Sequence, residues 1–547
     1  MSSAPRVDVR SCPTLPVRRR HTASVQFGPM QVEAVATTGI YCRAECSATP
    51  LARNTARYPS SVAAEAAGYR PCLRCRPERR AGSLTGLDVP EPVAAALLRI
   101  TDGYLDDHDE QALASYVGYS ARHLRRLFEL HIGTTPSAIA RSRRAHFARR
   151  LIDETDLSFD AIARAAGLGG PRQLHRAMTS IFGFTPTELR SKRRRGQRPG
   201  IDGGLVLSVP YMAPFDFGAF LAHQAPRAIP GVESVNGIYA RSISVCGHPG
   251  IAEVADAADG EHLRLRLHLP TYDSIIDDVH RARALLGTDA DPDRPSVLND
   301  DPVIGPLMRA ASGLRVPRSW DRFETVIRIV AGQQVSVAAA STLCGRIAQR
   351  LGTPLDAADE TGTETVCHGA SRPSHQTSQS ACLTHLFPSA AALADAGARG
   401  LEGLGFTQRR IDTIIGVARA VSCGELDLEA ADSLDDTVTQ LCELEGIGPW
   451  SAHLIAMRVF GHDDAFPASD LGLRRAVEHL TGQPCSTREL QARAESWRPY
   501  RSWAAQHLWH SAARSHQRLS SIDPLDRRPV QPALRPTHSS TRKRGKP

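Results

Sequence analysis

The chain has 547 residues, 41% of them hydrophobic, and a formal net charge of +8, which excludes a single small domain and a disordered chain. Units of roughly 100 to 200 residues would make three or four domains, and the basic excess selects a polyanion as partner. No apolar run approaches the roughly 20 residues that span a bilayer, and the opening MSSAPRVDVRSCPTLPVRRRH lacks the apolar centre of a secretory signal. The expectation is a cytoplasmic monomer with no membrane partner. Twelve cysteines are too few for a disulfide scaffold, so close cysteine pairs in a reducing compartment point to metal or redox chemistry.

In chain order, the first such region spans about 22–85. Cys42 and Cys46 form one close pair and Cys72 and Cys75 another, a pattern that suits tetrahedral zinc. A purely structural zinc site and a reactive one share this spacing. A redox pair is disfavoured, because no βαβ pattern surrounds either pair. The words TTGIYCRAEC and AAGYRPCLRCRPE, over about 35–78, resemble the N-terminal module of Ada-type DNA alkylation-response proteins. That resemblance implies that Cys42 is both zinc ligand and nucleophile, taking a methyl group from a methylphosphotriester in DNA, with Cys46, Cys72 and Cys75 completing the ligand set. Residues 1–31 do not resemble the helix and strand that usually open that module. Four thiolates on one dication leave an excess of two negative charges, and methylating one sulfur halves it. Binding to a phosphate backbone should then strengthen.

Residues 90–190 hold the second unit. YSARHLRRLFELHIGTTPSAIARSRRAHFARR, at 119–150, contains eight arginines and one acid, and Leu124, Leu127 and Phe128 share one helical face. A solvated basic face would look the same, but ALASYVGYSARHLRRLF and AIARAAGLGGPRQLHRAM each pair two helices across a glycine turn, giving two helix-turn-helix units. Together with GTTPSAIARSRRAHFARRLI and FGFTP, they resemble the AraC-type DNA-binding domain. By that resemblance, helices starting near Ser120 and Gly170 enter successive major grooves. Arg122, His123, Arg126, Arg172, Gln173 and His175 would then lie at bases or phosphates. Promoter DNA, with RNA polymerase as a further partner, follows from the same resemblance.

A basic linker over 191–204 precedes a unit that changes character. GLVLSVPY and HLRLRLHLP alternate as strands do, so 205–290 reads as an α+β subdomain; 291–515 shows helical periodicity, broken by a polar insertion at about 356–384. Residues 519–547 read as a disordered tail. The whole is thus a multidomain α+β chain: a zinc module, an all-α double helix-turn-helix domain, an α+β subdomain and an all-α domain, whose hairpin gives it the helix-hairpin-helix resemblance set out next.

LCELEGIGPWSAHLIAM, at 441–457, places Gly446 and Gly448 in a hairpin before Pro449, which is favoured at a first helical position. Glycines there let a phosphate approach the backbone. Asp470, in FPASDLGLRRAV, sits where an N-cap is expected. Hairpin and aspartate together resemble the helix-hairpin-helix DNA glycosylases. RAIPGVESV, GLRVPRSWDRFETVIRIVAGQQVSVAAA, THLFPS, GIGPWSA and RPYRSWAAQHLW extend the likeness to AlkA-type 3-methyladenine glycosylases. The resemblance implies Asp470 as the catalytic carboxylate, Trp450 and Trp509 as aromatic walls of the base pocket, and Gln334 as the wedge in the gap left by a flipped nucleotide. Ordinary core aromatics remain the alternative for the two tryptophans, and Leu454 stands where some members carry an aromatic.

Lysine occurs only at 192, 543 and 546, so 193–542 offers no amine for Schiff-base lyase chemistry. Cys485 is the last cysteine, which excludes the iron–sulfur loop of some relatives. The reading is hydrolytic excision of N3- or N7-alkylated purines from double-stranded DNA, joined to methyl-activated transcriptional regulation, with zinc as the cofactor. No PCHR-type acceptor motif occurs, so repair of O6-alkylguanine is not expected. The rivals are a regulator with an inactive glycosylase portion and an active glycosylase whose sensor module has degenerated.

Overall fold

The structure is a computed structural model, and it describes residues 32–43, 46–47, 52–77, 89–193, 204–273, 275–355, 383–429 and 433–520. The expectations for residues 1–31, for most of the linker and insertion, and for the tail beyond 520 lie outside the described residues.

A four-stranded sheet of order β3-β1-β2-β4 frames the cysteines, built from β1 Val32–Val35, β2 Ile40–Arg43, β3 Thr55–Tyr58 and β4 Arg70–Pro71. β1 is a strand immediately before TTGIYC, pairing Glu33 with Cys42; the sequence reading did not identify it. The short helix Ser61–Ala66 packs beneath the sheet, capped by the Ser60 hydroxyl on the Ala63 N–H.

Two helix-turn-helix units follow. Helices Glu110–Tyr116 and Ala121–His131 form one and Phe159–Ala165 and Pro171–Phe182 the other, joined by the long helix Pro136–Glu154. Leu124 and Phe128 are buried, as the apolar stripe requires. The second unit shares one continuous core with the next layer, an antiparallel sheet of order β5-β9-β8-β7-β6. Its strands are β5 Leu205–Pro210, β6 Glu233–Val235, β7 Tyr239–Val245, β8 His248–Asp256 and β9 His262–His268. On β9, Leu263, Leu265 and Leu267 point into the core while Arg264 and Arg266 face outward, which is the alternation read from HLRLRLHLP.

The remainder is helical, organised as two cores. Helices Leu434–Glu443 and Pro449–Ile455 flank the glycine hairpin, and a π-helical turn at Ala456–Phe460 follows the second. Helix Leu471–Thr481 starts at Asp470, and the closing helix Arg501–Ser520 brings Trp509 back to it. The closing helix runs to Ser520, into the stretch read as tail. At the far end of the insertion, the Thr384 N–H donates to the Gly231 carbonyl, which ties that junction to the α+β layer. Among the described residues, no helix is long and apolar enough to cross a membrane.

Candidate active site, zinc centre and DNA-facing residues

Asp470 caps its helix and does more. Its Oδ1 accepts from the Leu473 backbone N–H at 2.9 Å, the N-cap bond. The Trp509 indole N–H donates to the same oxygen at 3.0 Å, and the Trp450 indole N–H donates to Oδ2 at 3.0 Å. Three donors therefore fix both oxygens of one partly exposed carboxylate, and two are aromatic edges. The sequence reading assigned the tryptophans to the walls of a pocket; the structure brings both to Asp470 and uses their edges to orient it. Gly472 makes this approach possible, since a Cβ there would lie 3.0 Å from Asp470 Oδ1 and 3.4 Å from Trp509 Cδ1.

Behind Trp509 stands a cation that sequence reading missed. The Arg458 guanidinium carbon lies 5.5 Å from the Trp509 ring centroid, and its nitrogens donate to Pro317 O at 2.9 Å and Gln506 Oε1 at 2.8 Å. Burial, with Arg227 nearby, pulls Arg458 down to about 9. Burial and Arg328 pull Arg227 down to about 10, an effect the Asp470 carboxylate opposes. Leu454 is half-buried between the two helical cores, and Leu471, next to Asp470, is 52% exposed.

In the hairpin, Gly446 has φ +86°, and a Cβ would sit 1.9 Å from Thr413 Oγ1, so only glycine fits. A Cβ on Gly448 would meet nothing within 4 Å, leaving open space at the N-terminus of helix Pro449–Ile455. The adjacent glutamines differ in role. Gln333 donates its amide to Gly446 O at 2.9 Å and to Ser451 Oγ at 3.0 Å, clamping one loop to the hairpin. Gln334 is exposed at φ 57°, a left-handed conformation costing on the order of 1 kcal/mol for a non-glycine residue. Exposed Val335 and Val337 flank it.

The sulfurs of Cys42, Cys46, Cys72 and Cys75 all lie within 4.8 Å of one another. Cys42 and Cys72 are buried, and Cys46 and Cys75 are partly exposed. Burial, then repulsion and a hydrogen bond from Cys72, pushes the Cys42 thiol well above its usual range; burial, with neighbouring thiolates, pushes Cys75 up to about 12. Burial opposes ionisation of Cys72 too, but the Cys75 and Arg74 backbone N–H groups hold it below the usual value. The four can ionise together only around a dication, and four soft donors at this separation fit zinc.

On helices Ala121–His131 and Pro171–Phe182, Arg122, Arg126, Arg172 and His175 are exposed. His123 is half-buried, with its Nδ1 3.3 Å from Arg126 Nη2. Gln173 turns back on its own turn, its Oε1 accepting from the Gly169 N–H at 2.9 Å.

Four family models match in chain order: the metal binding domain of Ada over 19–78, a helix-turn-helix domain over 113–192, the AlkA N-terminal domain over 206–321, and the HhH-GPD superfamily of base excision DNA repair proteins over 327–501. A Mycobacterium tuberculosis relative, the probable bifunctional transcriptional activator/DNA repair enzyme AlkA, is 37% identical over 497 residues, which cover 90% of this chain and 95% of the relative. The chain belongs to this bifunctional AlkA family. Each half also has its own relative. DNA-3-methyladenine glycosylase 2 of Escherichia coli is 28% identical over 302 residues, covering 55% of this chain and 95% of the relative. The E. coli bifunctional transcriptional activator/DNA repair enzyme Ada is 32% identical over 200 residues, covering 36% of this chain and 52% of that relative. The bifunctional AlkA architecture is therefore a zinc-binding Ada module and a DNA-binding helix-turn-helix domain ahead of a helix-hairpin-helix repair domain.

Proposed function

We propose that the chain hydrolyses the N-glycosidic bond of N3- and N7-alkylated purines in duplex DNA, and that methylation of Cys42 converts the same chain into a tighter-binding regulator of promoter DNA. The observation that carries the first half is the Asp470 carboxylate, held on both oxygens by two indole N–H groups and one backbone N–H.

An alkylated purine is cationic and leaves readily, so the protein has to extrude the nucleotide, hold it and stabilise the sugar cation. Gln334 fills the vacated stack, with Gln333 locking its loop to the hairpin. The hairpin amides hold the phosphate. Asp470 faces the developing oxocarbenium charge, and a fixed carboxylate loses little to reorganisation. Water attacks the anomeric carbon; the C–N bond breaks, and the base leaves with its electron pair. No lysine between 193 and 542 can take the place of that water, so the product is an abasic site in an intact strand.

Cys42, Cys46, Cys72 and Cys75 would hold a zinc ion, which when bound would supply the positive charge that favours their thiolate forms. The Cys42 thiolate then attacks the methyl carbon of a methylphosphotriester, forming S–CH₃ while the CH₃–O bond breaks and leaves a phosphodiester. The site loses one negative charge, and repulsion from DNA falls. Arg122, Arg126, Arg172 and Gln173 contact the promoter, the bound chain contacts RNA polymerase, and it acts as a monomer. Incubating the full chain with methylated duplex should release free 3-methyladenine and leave strands uncut until alkali is added. Borohydride trapping of a covalent complex would overturn the hydrolytic reading.

A further inference from the structure

The DNA-reading domain grips the glycosylase at the helix that carries the wedge loop. Asp102, at the end of helix Glu91–Thr101, places Oδ2 2.7 Å from Arg322 Nη2 and Oδ1 2.7 Å from His280 Nε2. Both partners belong to the glycosylase half. Arg322 also donates to Leu428 O at 2.8 Å and lies 3.2 Å from Glu429 Oε2. The reader meets the same segment again: Tyr116 donates to Glu429 O at 3.2 Å, and Arg99 lies 3.7 Å from Asp427 and 3.6 Å from Glu429. Arg99 is held between the rings of Tyr104 and Tyr116, at 4.6 and 4.4 Å. The junction joins buried Arg99 and half-buried Asp102 and Arg322 to the more exposed Asp427 and Glu429, and Asp102, Arg99, Arg322 and Glu429 each meet more than one partner, so the network holds position better than an isolated exposed pair would.

Arg322 is the first residue of helix Arg322–Ala331. Gly332 ends that helix, and Gln333 and Gln334 follow at once. A ten-residue helix is a rod of about 15 Å. One end is held by a residue of the reader, and the other presents the residue proposed above as the wedge. Midway, the rod is fixed to the α+β sheet by Arg241–Glu324 at 2.7 Å and Arg328–Glu233 at 2.5 Å. Those contacts set its depth, and Asp102 adds the anchor at its start.

We propose that Asp102 is a positioning residue for base extrusion: through Arg322 and its helix it sets the placement of Gln334, so the DNA-reading domain is part of the glycosylase rather than a passenger. This rests on the glycosylase reading. A misplaced wedge matters most when a base must be both unpaired and unstacked, and matters less when pairing no longer opposes extrusion.

The test is single-turnover base release by the full chain from two duplexes with the same alkylated purine, one fully paired and one with the lesion opposite an abasic gap. Asp102→Asn should slow release from the paired duplex by roughly 3- to 30-fold, the span that coupling through a packed network supports. On the gapped duplex the loss should stay below about twofold. Arg322→Gln should behave alike, and the double variant should be no worse than the slower single variant. Equal losses on both duplexes, no loss on the paired one, or additive losses in the double variant would overturn the positioning role. If the wild-type chain releases base from neither duplex, the glycosylase reading falls and the positioning role with it.

Discussion

Replacing Trp509 with phenylalanine removes one N–H and keeps an aromatic face. In the wild-type chain that N–H donates to Asp470 Oδ1 at 3.0 Å, beside the Leu473 N–H at 2.9 Å. A hydrogen bond to a charged group is worth about 1.5–3 kcal/mol, and about 1.4 kcal/mol is tenfold in rate, so complete loss in the transition state would cost about 10- to 150-fold. Two donors remain on the carboxylate, so the expected loss lies near the lower end, about tenfold in kcat. KM for lesion DNA should hardly move, because the phenyl face still stacks. Trp509→Ala should lower kcat further and raise KM. Both are read by multiple-turnover release of 3-methyladenine over a range of lesion-DNA concentrations. If Trp509→Phe keeps wild-type kcat while Trp509→Ala raises KM alone, the indole is a wall only and its edge does not orient Asp470.

Gly446→Ala should lower the melting temperature of the glycosylase part and weaken DNA binding, because a Cβ meets Thr413 Oγ1 at 1.9 Å in a backbone of φ +86°; the cost should exceed about 1 kcal/mol in a denaturant titration. His507 is buried and held down to about 4, first by burial. An unfolded chain therefore takes up a proton below about pH 6.5 that the folded chain refuses, and stability present above that pH is lost as pH falls toward 4. His507 should contribute on the order of 3 kcal/mol of this loss; His507→Gln should remove that share from the thermal-unfolding pH profile and leave the part due to His462 and His223, which burial also holds down. Metal analysis should find one zinc per chain, lost when Cys72 is changed to serine, and mass spectrometry after exposure to methylphosphotriester DNA should place a single methyl on Cys42.

The parts of this architecture legible in sequence were those carried by local spacing. The cysteine pairs, the turns before Ser120 and Gly170, the alternation of β9 and the N-cap at Asp470 all depend on near neighbours, and each stands where its pattern placed it. What spacing could not carry was distance across the chain. Nothing near Asp102 announces Arg322, 220 residues away, and an arginine at 458 reads like any other until it is seen behind Trp509. The glutamine pair shows the same limit within two residues: GQQ gives no sign that Gln333 turns in to Gly446 while Gln334 turns out. β1 was missed because VEAV is short and polar at one position, and gains its stability from pairing with both β2 and β3.

The central claim is that a carboxylate at 470, fixed by two indoles, drives base release, and the most direct measurement is excision by Asp470→Asn. Asparagine keeps shape and the Oδ1 acceptor for the Leu473 N–H but removes the charge that faces the sugar cation. Rates of 3-methyladenine release should fall on the order of 100-fold or more, while affinity for the same duplex, held by hairpin amides and arginines, should remain within a few fold of wild type. Release at the wild-type rate by Asp470→Asn would contradict the account.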